Sequence, residues 1–223
     1  MRKEDTKERI LDEALTLFSV RGYDAVSVGE IAEAVGIKAP SLYNHFAGKQ
    51  AIFDAILQKA SAKYERETAA QSVHIENADA DTALFAAIDA EGLANKVCAL
   101  FRGVLHDETL GRFRRMLTIE QFRTPELSAL YTSRFVDRMT GYHRDLFRRL
   151  IDAGVLVDAD PDLLALAYVS PILVLLGICD RQPELEDACT DKLRAHVRLF
   201  YETYNRKQSG KEQQPCNITR KYN

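Results

Sequence analysis

The segment from Val28 to Lys49, VGEIAEAVGIKAPSLYNHFAGK, limits the folds open to this chain more than any other stretch. Ser27 stands just before it and Glu30 three residues further on, so the serine can cap the amide end of a helix while the carboxylate reaches back to the serine N–H. Ile31, Ala32 and Val35 then recur at helical spacing, and Gly36 can end the helix in the left-handed conformation at little steric cost. Pro40 suits the first turn of a second helix, where its missing N–H is not needed, and Leu42 and Phe46 can face inward together. Two short helices around a turn, with the small Ala32 where they would cross, have the layout of a helix-turn-helix. Buried helix pairs in enzymes also carry a small residue and a turn glycine, so on spacing alone both readings stand.

The continuation narrows them. Leu42-Tyr43-Asn44-His45-Phe46 followed by Gly48-Lys49 resembles the recognition-helix signature of the TetR family of bacterial one-component repressors. Ile10, Leu11, Ala14, Leu15 and Phe18, then Arg21-Gly22-Tyr23 and Val26-Ser27, resemble the family's first helix and its entry to the motif. The resemblance covers about the first 55 residues, and beyond them it is one of length and helical layout. It implies an all-α fold, with an N-terminal three-helix helix-turn-helix DNA-binding domain and a C-terminal helical domain for effector binding and dimerisation. It also implies that Ser27, Tyr43 and Lys49 contact phosphates, and that Lys38, Ala39, Ser41, Asn44 and His45 face the major groove, with Pro40 on the same surface. Side-chain chemistry agrees with that division: hydroxyls and an ammonium suit phosphate oxygens, Asn44 an adenine edge, Lys38 a guanine edge and Ala39 a thymine methyl.

Charge excludes a nonspecific polycation. The chain carries a net charge of -3, and residues 1–63 hold nine Lys/Arg against nine Asp/Glu. Binding to DNA would then rest on charge segregated to one face, and a dimer would double the few phosphate contacts of one motif. The 223 residues divide into a DNA-binding domain over 1–48, a helical effector-binding and dimerisation domain over 49–204, and a polar flexible tail over 205–223. Residues 1–20 alternate charged and apolar positions with no secretory pattern, and Cys98, Cys179, Cys189 and Cys216 fall in no CxxC pair or zinc spacing, which points to a reducing cytoplasm. Cys179 and Cys189 stand as a candidate redox pair. The five histidines show no metal-site spacing, and there is no nucleophile elbow or glycine-rich phosphate loop, so neither a metal, a cofactor nor an enzymatic activity is expected.

Further helices are expected over about 49–67, 93–106, 110–122, 125–153 (stopped by Gly154) and 183–204, with the acidic 69–81 stretch as a solvated loop or frayed end. Residues 163–179 are almost wholly apolar. That run is at or below the length needed to cross a bilayer, and Asp158, Asp160, Asp162 and Asp180 flank it rather than basic anchors, so no membrane partner is expected. A helix apolar on all sides in so small a chain can cover its own core with one face and a twin subunit with the other. The expected dimer surface is Leu163, Leu166, Tyr168, Ile172, Leu175 and Leu176, joined from the last helix by Leu193, Val197, Phe200 and Tyr204.

For the effector, Leu110, Phe113, Met116 and Leu117 share a helix face, and Glu120 falls in their arc. A carboxylate there must pair or titrate, either as an anchor for a cationic or hydrogen-bonding ligand or in an internal salt bridge. Tyr131, Phe135, Met139 and Tyr142 share the next helical face with His143 at its border, and Phe101, Arg102 and His106 complete the candidate pocket. The expectation is a ligand-responsive homodimeric repressor that binds a palindromic operator in double-stranded DNA and is released by a small-molecule effector. The alternatives are a regulator without ligand control or an activator, and more remotely an all-helical enzyme.

Overall fold

A computed structural model describes residues 3–70 and 78–206. Eleven helices follow in order among the described residues: α1 (Lys3–Arg21), α2 (Val28–Val35), α3 (Ala39–Leu42), α4 (Lys49–Ala70), α5 (Ala78–Ala87), α6 (Ala90–His106), α7 (Glu108–Glu120), α8 (Pro125–Tyr131), α9 (Arg138–Asp152), α10 (Pro161–Arg181) and α11 (Glu186–Tyr204). A π-helical turn, Thr132–Asp137, joins α8 to α9, and a short 3-10 turn, Pro183–Leu185, precedes α11.

Side chains place the starts of α6, α7 and α8. Asp89 accepts from the Gly92 N–H at 2.8 Å, Asp107 from Leu110 at 2.9 Å and Thr124 from Leu127 at 3.3 Å, so the orphan amides of α6, α7 and α8 each find an oxygen. Gly154 follows α9 with φ 71°, as a helix-ending glycine should.

Two cores result. The N-terminal core holds Ile10, Phe18, Val26, Ile31, Leu42 and Ile52, and it continues into Ile56 and Ala60 of α4 and Phe113, Met116 and Leu117 of α7. Packing therefore does not divide the chain at 48/49: the first turns of α4 and most of α7 belong to the N-terminal unit. The second core joins α5, α6 and α9–α11 around Leu146, Tyr168, Val169, Leu193, Val197 and Phe200.

Three local expectations are corrected. The region read as one helix from 125 to 153 contains the π turn, which re-aims the side chains that follow it. Residues 78–81, read as solvated loop or frayed helix end, form the ordered start of α5, with Ala78 and Asp81 facing the core and Asp81 accepting a hydrogen bond from the Tyr142 hydroxyl. Asn205 and Arg206, read as part of the tail, are held: Val157 N–H donates to the Tyr204 carbonyl and Arg206 N–H to the Val155 carbonyl, both at 2.9 Å, which pins them to the loop before α10. Residues 207–223, Cys216 among them, lie outside the described residues, as does His74.

Candidate nucleic-acid interface

The helix-turn-helix forms as its local chemistry requires. Ser27 Oγ accepts from the Glu30 N–H at 3.2 Å while Glu30 Oε2 accepts from the Ser27 N–H and hydroxyl, both at 2.8 Å. Those bonds, the backbone one first, and the Arg21 guanidinium at 2.8 Å hold the Glu30 carboxyl down at about 2. Gly36 ends α2 at φ 74°, and the Ile37 N–H closes back onto the Ala32 carbonyl at 2.9 Å. The second helix is short, its helical hydrogen bonds continuing as a turn through His45 and Phe46. Leu42 and Phe46 are buried in the N-terminal core, which leaves Lys38, Pro40, Tyr43 and Asn44 exposed, with Ala39, Ser41 and His45 half-buried beside them.

Two of the expected phosphate ligands are otherwise engaged. The Ser27 hydroxyl serves the capping box. Lys49 Nζ donates to the Tyr23 and Val26 carbonyls, each at 2.8 Å, and stands 4.2 Å from the Tyr23 ring centre, so two of its three N–H bonds tie α4 to the loop before α2. Tyr43, 56% exposed, is the large side chain this surface presents outright.

Behind the interface lies a joint. Glu120, 2% exposed, accepts from the Tyr23 N–H at 2.6 Å and pairs with Arg123 at 2.9 Å; Arg123 also pairs with Asp24 and covers the Tyr23 ring at 4.7 Å. Glu120 is therefore the internal ion pair of the two readings, at the end of α7 where that helix meets the loop after α1, and it does not line the cavity. Gly22 makes this approach possible: its φ is 79°, and a Cβ there would stand 2.8 Å from Glu120 Oε1.

A cavity of about 150 Å³ lies between α4, α6, α7, α9, α10 and the π turn. Of the expected pocket residues it takes in Phe101, Phe135, Met139, Tyr142 and His143. Arg102 and His106 instead meet Asp187 and Glu186 on the outer surface, and Tyr131 packs on the N-terminal core. Sequence reasoning missed Arg114, Arg134, Arg138 and Tyr168 in the wall; the four-residue spacing that places Arg134 with Arg138, and Phe135 with Met139, was the available signal. Arg114 makes a two-pronged ion pair with Asp180, both contacts 2.8 Å, and donates to the Val104 carbonyl at 2.9 Å. Burial drives the His143 imidazole down to about 4, against the pull of its 2.8 Å bond to the Met139 carbonyl, and pushes the Tyr168 hydroxyl upward.

On α10 and α11, Tyr168, Leu175, Leu193, Val197 and Phe200, expected at a dimer surface, belong to the chain's own core. The Phe200 ring stacks on Phe147 at 5.3 Å and meets Tyr168 at 4.8 Å. Ile172, Leu176 and Tyr204 are half-buried, while Leu163 and Leu166 are open, joined by Val174 and Leu199. The α10 helix is long and apolar enough by composition to cross a bilayer, and a third of that stretch is buried within the chain.

A helix-turn-helix on a three-helix unit, continued by a larger helical domain, defines an all-helical DNA-binding regulator fold. Residues 10–56 match the family described as bacterial regulatory proteins, tetR family. The HTH-type transcriptional repressor ComR of Escherichia coli is 38% identical over 86 residues, a match spanning 37% of this chain and 40% of ComR. Among solved structures, a putative TetR-family regulator from Mesorhizobium loti is similar over 92% of this chain and 99% of its own, at TM-score 0.64 and 22% identity. SmeT, the repressor of a Stenotrophomonas maltophilia multidrug efflux pump, in its complex with triclosan, is similar over 90% of this chain and 92% of its own, at TM-score 0.65 and 23% identity. These likenesses are of fold. The relatives are transcriptional regulators, not enzymes.

Proposed function

We propose that the chain is a ligand-responsive, homodimeric transcriptional repressor that binds a palindromic operator with paired second helices of the motif, and that a small molecule in the cavity releases it. The observation that carries this reading is that two helices serve both sites. Phe113 of α7 and Ala60 of α4 belong to the N-terminal core and also line the cavity. A ligand that displaces either helix moves the DNA-reading unit with it, and only a ligand that favours the released arrangement can shift the balance, typically by about 1–3 kcal/mol. ComR's description as a repressor and the triclosan bound to SmeT support the same assignment.

Lys38, Ala39, Pro40, Ser41, Tyr43, Asn44 and His45 form the proposed DNA surface, Tyr43 on a phosphate and Asn44 at a base edge. Ser27 and Lys49 act there mainly by holding the loop and helix starts in place. Leu163, Leu166, Val174 and Leu199 form the proposed dimer surface. Gel-shift titration of the chain's own promoter region is the test. Tyr43→Ala should weaken binding and lower the slope of log affinity against log salt by about one per lost phosphate contact in each subunit. Unchanged binding and slope would reject the assignment of Tyr43.

A further inference from the structure

We propose that the cavity selects a monocyclic aromatic carboxylate, its ring among the aromatic wall and its carboxylate on Arg134. The proposal rests on reading the cavity as the effector site, and it reverses the sign of the ligand charge that a glutamate anchor would have selected.

The wall is one-sided in charge. Arg114, Arg134 and Arg138 line it, and among the described lining residues there is no aspartate, glutamate or lysine. A cation entering it would meet guanidiniums and no carboxylate, whereas an anion finds positive charge in a setting where water screens little. The three arginines are not equivalent. Arg114 is answered by Asp180 and the Val104 carbonyl, so its charge is already balanced. Arg134 is half-buried on the π turn and makes no ion pair or hydrogen bond with any described residue. Its planar fork matches a carboxylate with two parallel N–H···O bonds.

The remaining wall describes the body of the ligand. Phe101, Phe113, Phe135, Tyr142 and Tyr168 line it together with Met139. Such rings favour an aromatic guest, met edge to face or offset. A volume of about 150 Å³ is what a cavity needs to take a single benzene-sized ring.

Two polar groups add a second point of recognition. The Tyr168 hydroxyl sits on a side chain that is 3% exposed, yet it bonds to no described residue. His143 Nδ1 must donate to the Met139 carbonyl, which leaves Nε2 of the neutral ring as a lone-pair acceptor. A hydroxyl or similar substituent on the ring would satisfy both.

Isothermal titration of the full chain with phenylacetate, 2-phenylethanol and phenethylamine separates charge from shape. Phenylacetate should bind at least about tenfold more tightly than the alcohol, and the amine should not bind. Arg134→Gln should erase the advantage of the acid with thermal unfolding of the unliganded protein unchanged, and Arg134→Lys should keep most of it. Binding of the amine as tight as that of the acid, or a charge preference that survives Arg134→Gln, overturns the carboxylate assignment and leaves the cavity as a ligand site. Binding of none of the three overturns the assignment. Promoter retardation by the unliganded chain reads the regulator proposal separately: its absence alongside tight phenylacetate binding would sink that proposal and leave this one standing.

Discussion

At the scale of single residues, Glu120 has the strongest demands. A buried carboxylate must find donors or a cation, and here it takes the Tyr23 N–H and the Arg123 guanidinium. Gly22→Ala should disturb the same joint, because it adds a Cβ 2.8 Å from Glu120 Oε1 at a left-handed φ of 79°. The expected loss is about 1–3 kcal/mol in urea unfolding, and a loss under 0.5 kcal/mol would show that the joint relaxes freely. His143 makes a pH prediction. Its folded value of about 4 lies below the 6.5 of an unfolded chain, so well above pH 6.5 the ring is neutral in both states and affects nothing. As pH falls from 6.5 toward 4 the unfolded chain takes up a proton that the folded chain refuses. Stability should therefore drop by roughly 2–3 kcal/mol between pH 7 and 4.5, and His143→Gln should flatten that part of the profile. An equal slope in the variant would assign the acid sensitivity elsewhere.

At the scale of elements, α7 decides how the two units move together. One face supplies Met116 and Leu117, both fully buried, to the N-terminal core; its neighbours Leu110 and Arg114 line the cavity. Met116→Ala should cost about 2–5 kcal/mol and keep a single unfolding transition monitored by circular dichroism. Two resolved transitions would mean that the units fold separately and that α7 is not the coupling element. The α7 wheel was legible beforehand, since Leu110, Phe113, Met116 and Leu117 recur at helical spacing. What covers them was not, because periodicity gives the apolar side of a helix and never its partner. The π turn escaped for a related reason: residues 132–137 hold no glycine or proline to mark it, and it is the surrounding packing that takes up the extra residue.

At the scale of the whole molecule, the open question is what covers α10. Leu163, Leu166 and Val174 of that helix are 64%, 53% and 59% exposed, and Leu199 of α11 is 64% exposed. A patch of that kind is what a two-fold interface hides. Leu166→Arg should convert a dimer at micromolar concentration to monomer in sedimentation velocity and weaken operator binding; a wild-type monomer would reject the interface. Composition had marked α10 and α11 for this role and grouped the open Leu163 and Leu166 with the core-facing Tyr168, Leu175, Leu193, Val197 and Phe200, since a helix apolar all round gives no signal of which side meets its own core.

By itself the sequence determined the helix-turn-helix, because a capping box, a left-handed glycine and an N-terminal proline act on the backbone within a few residues of themselves. It also determined the all-helical class and the likeness of residues 10–56 to the tetR family. Only the tertiary structure decided that Glu120 bolts a joint and lines no pocket, that Arg134 and Tyr168 stand in the cavity wall, and that Leu193, Val197 and Phe200 close the chain's own core. Those roles depend on which helices meet across long stretches of sequence, and burial and charge pairing are set by that meeting and not by the residue's neighbours along the chain.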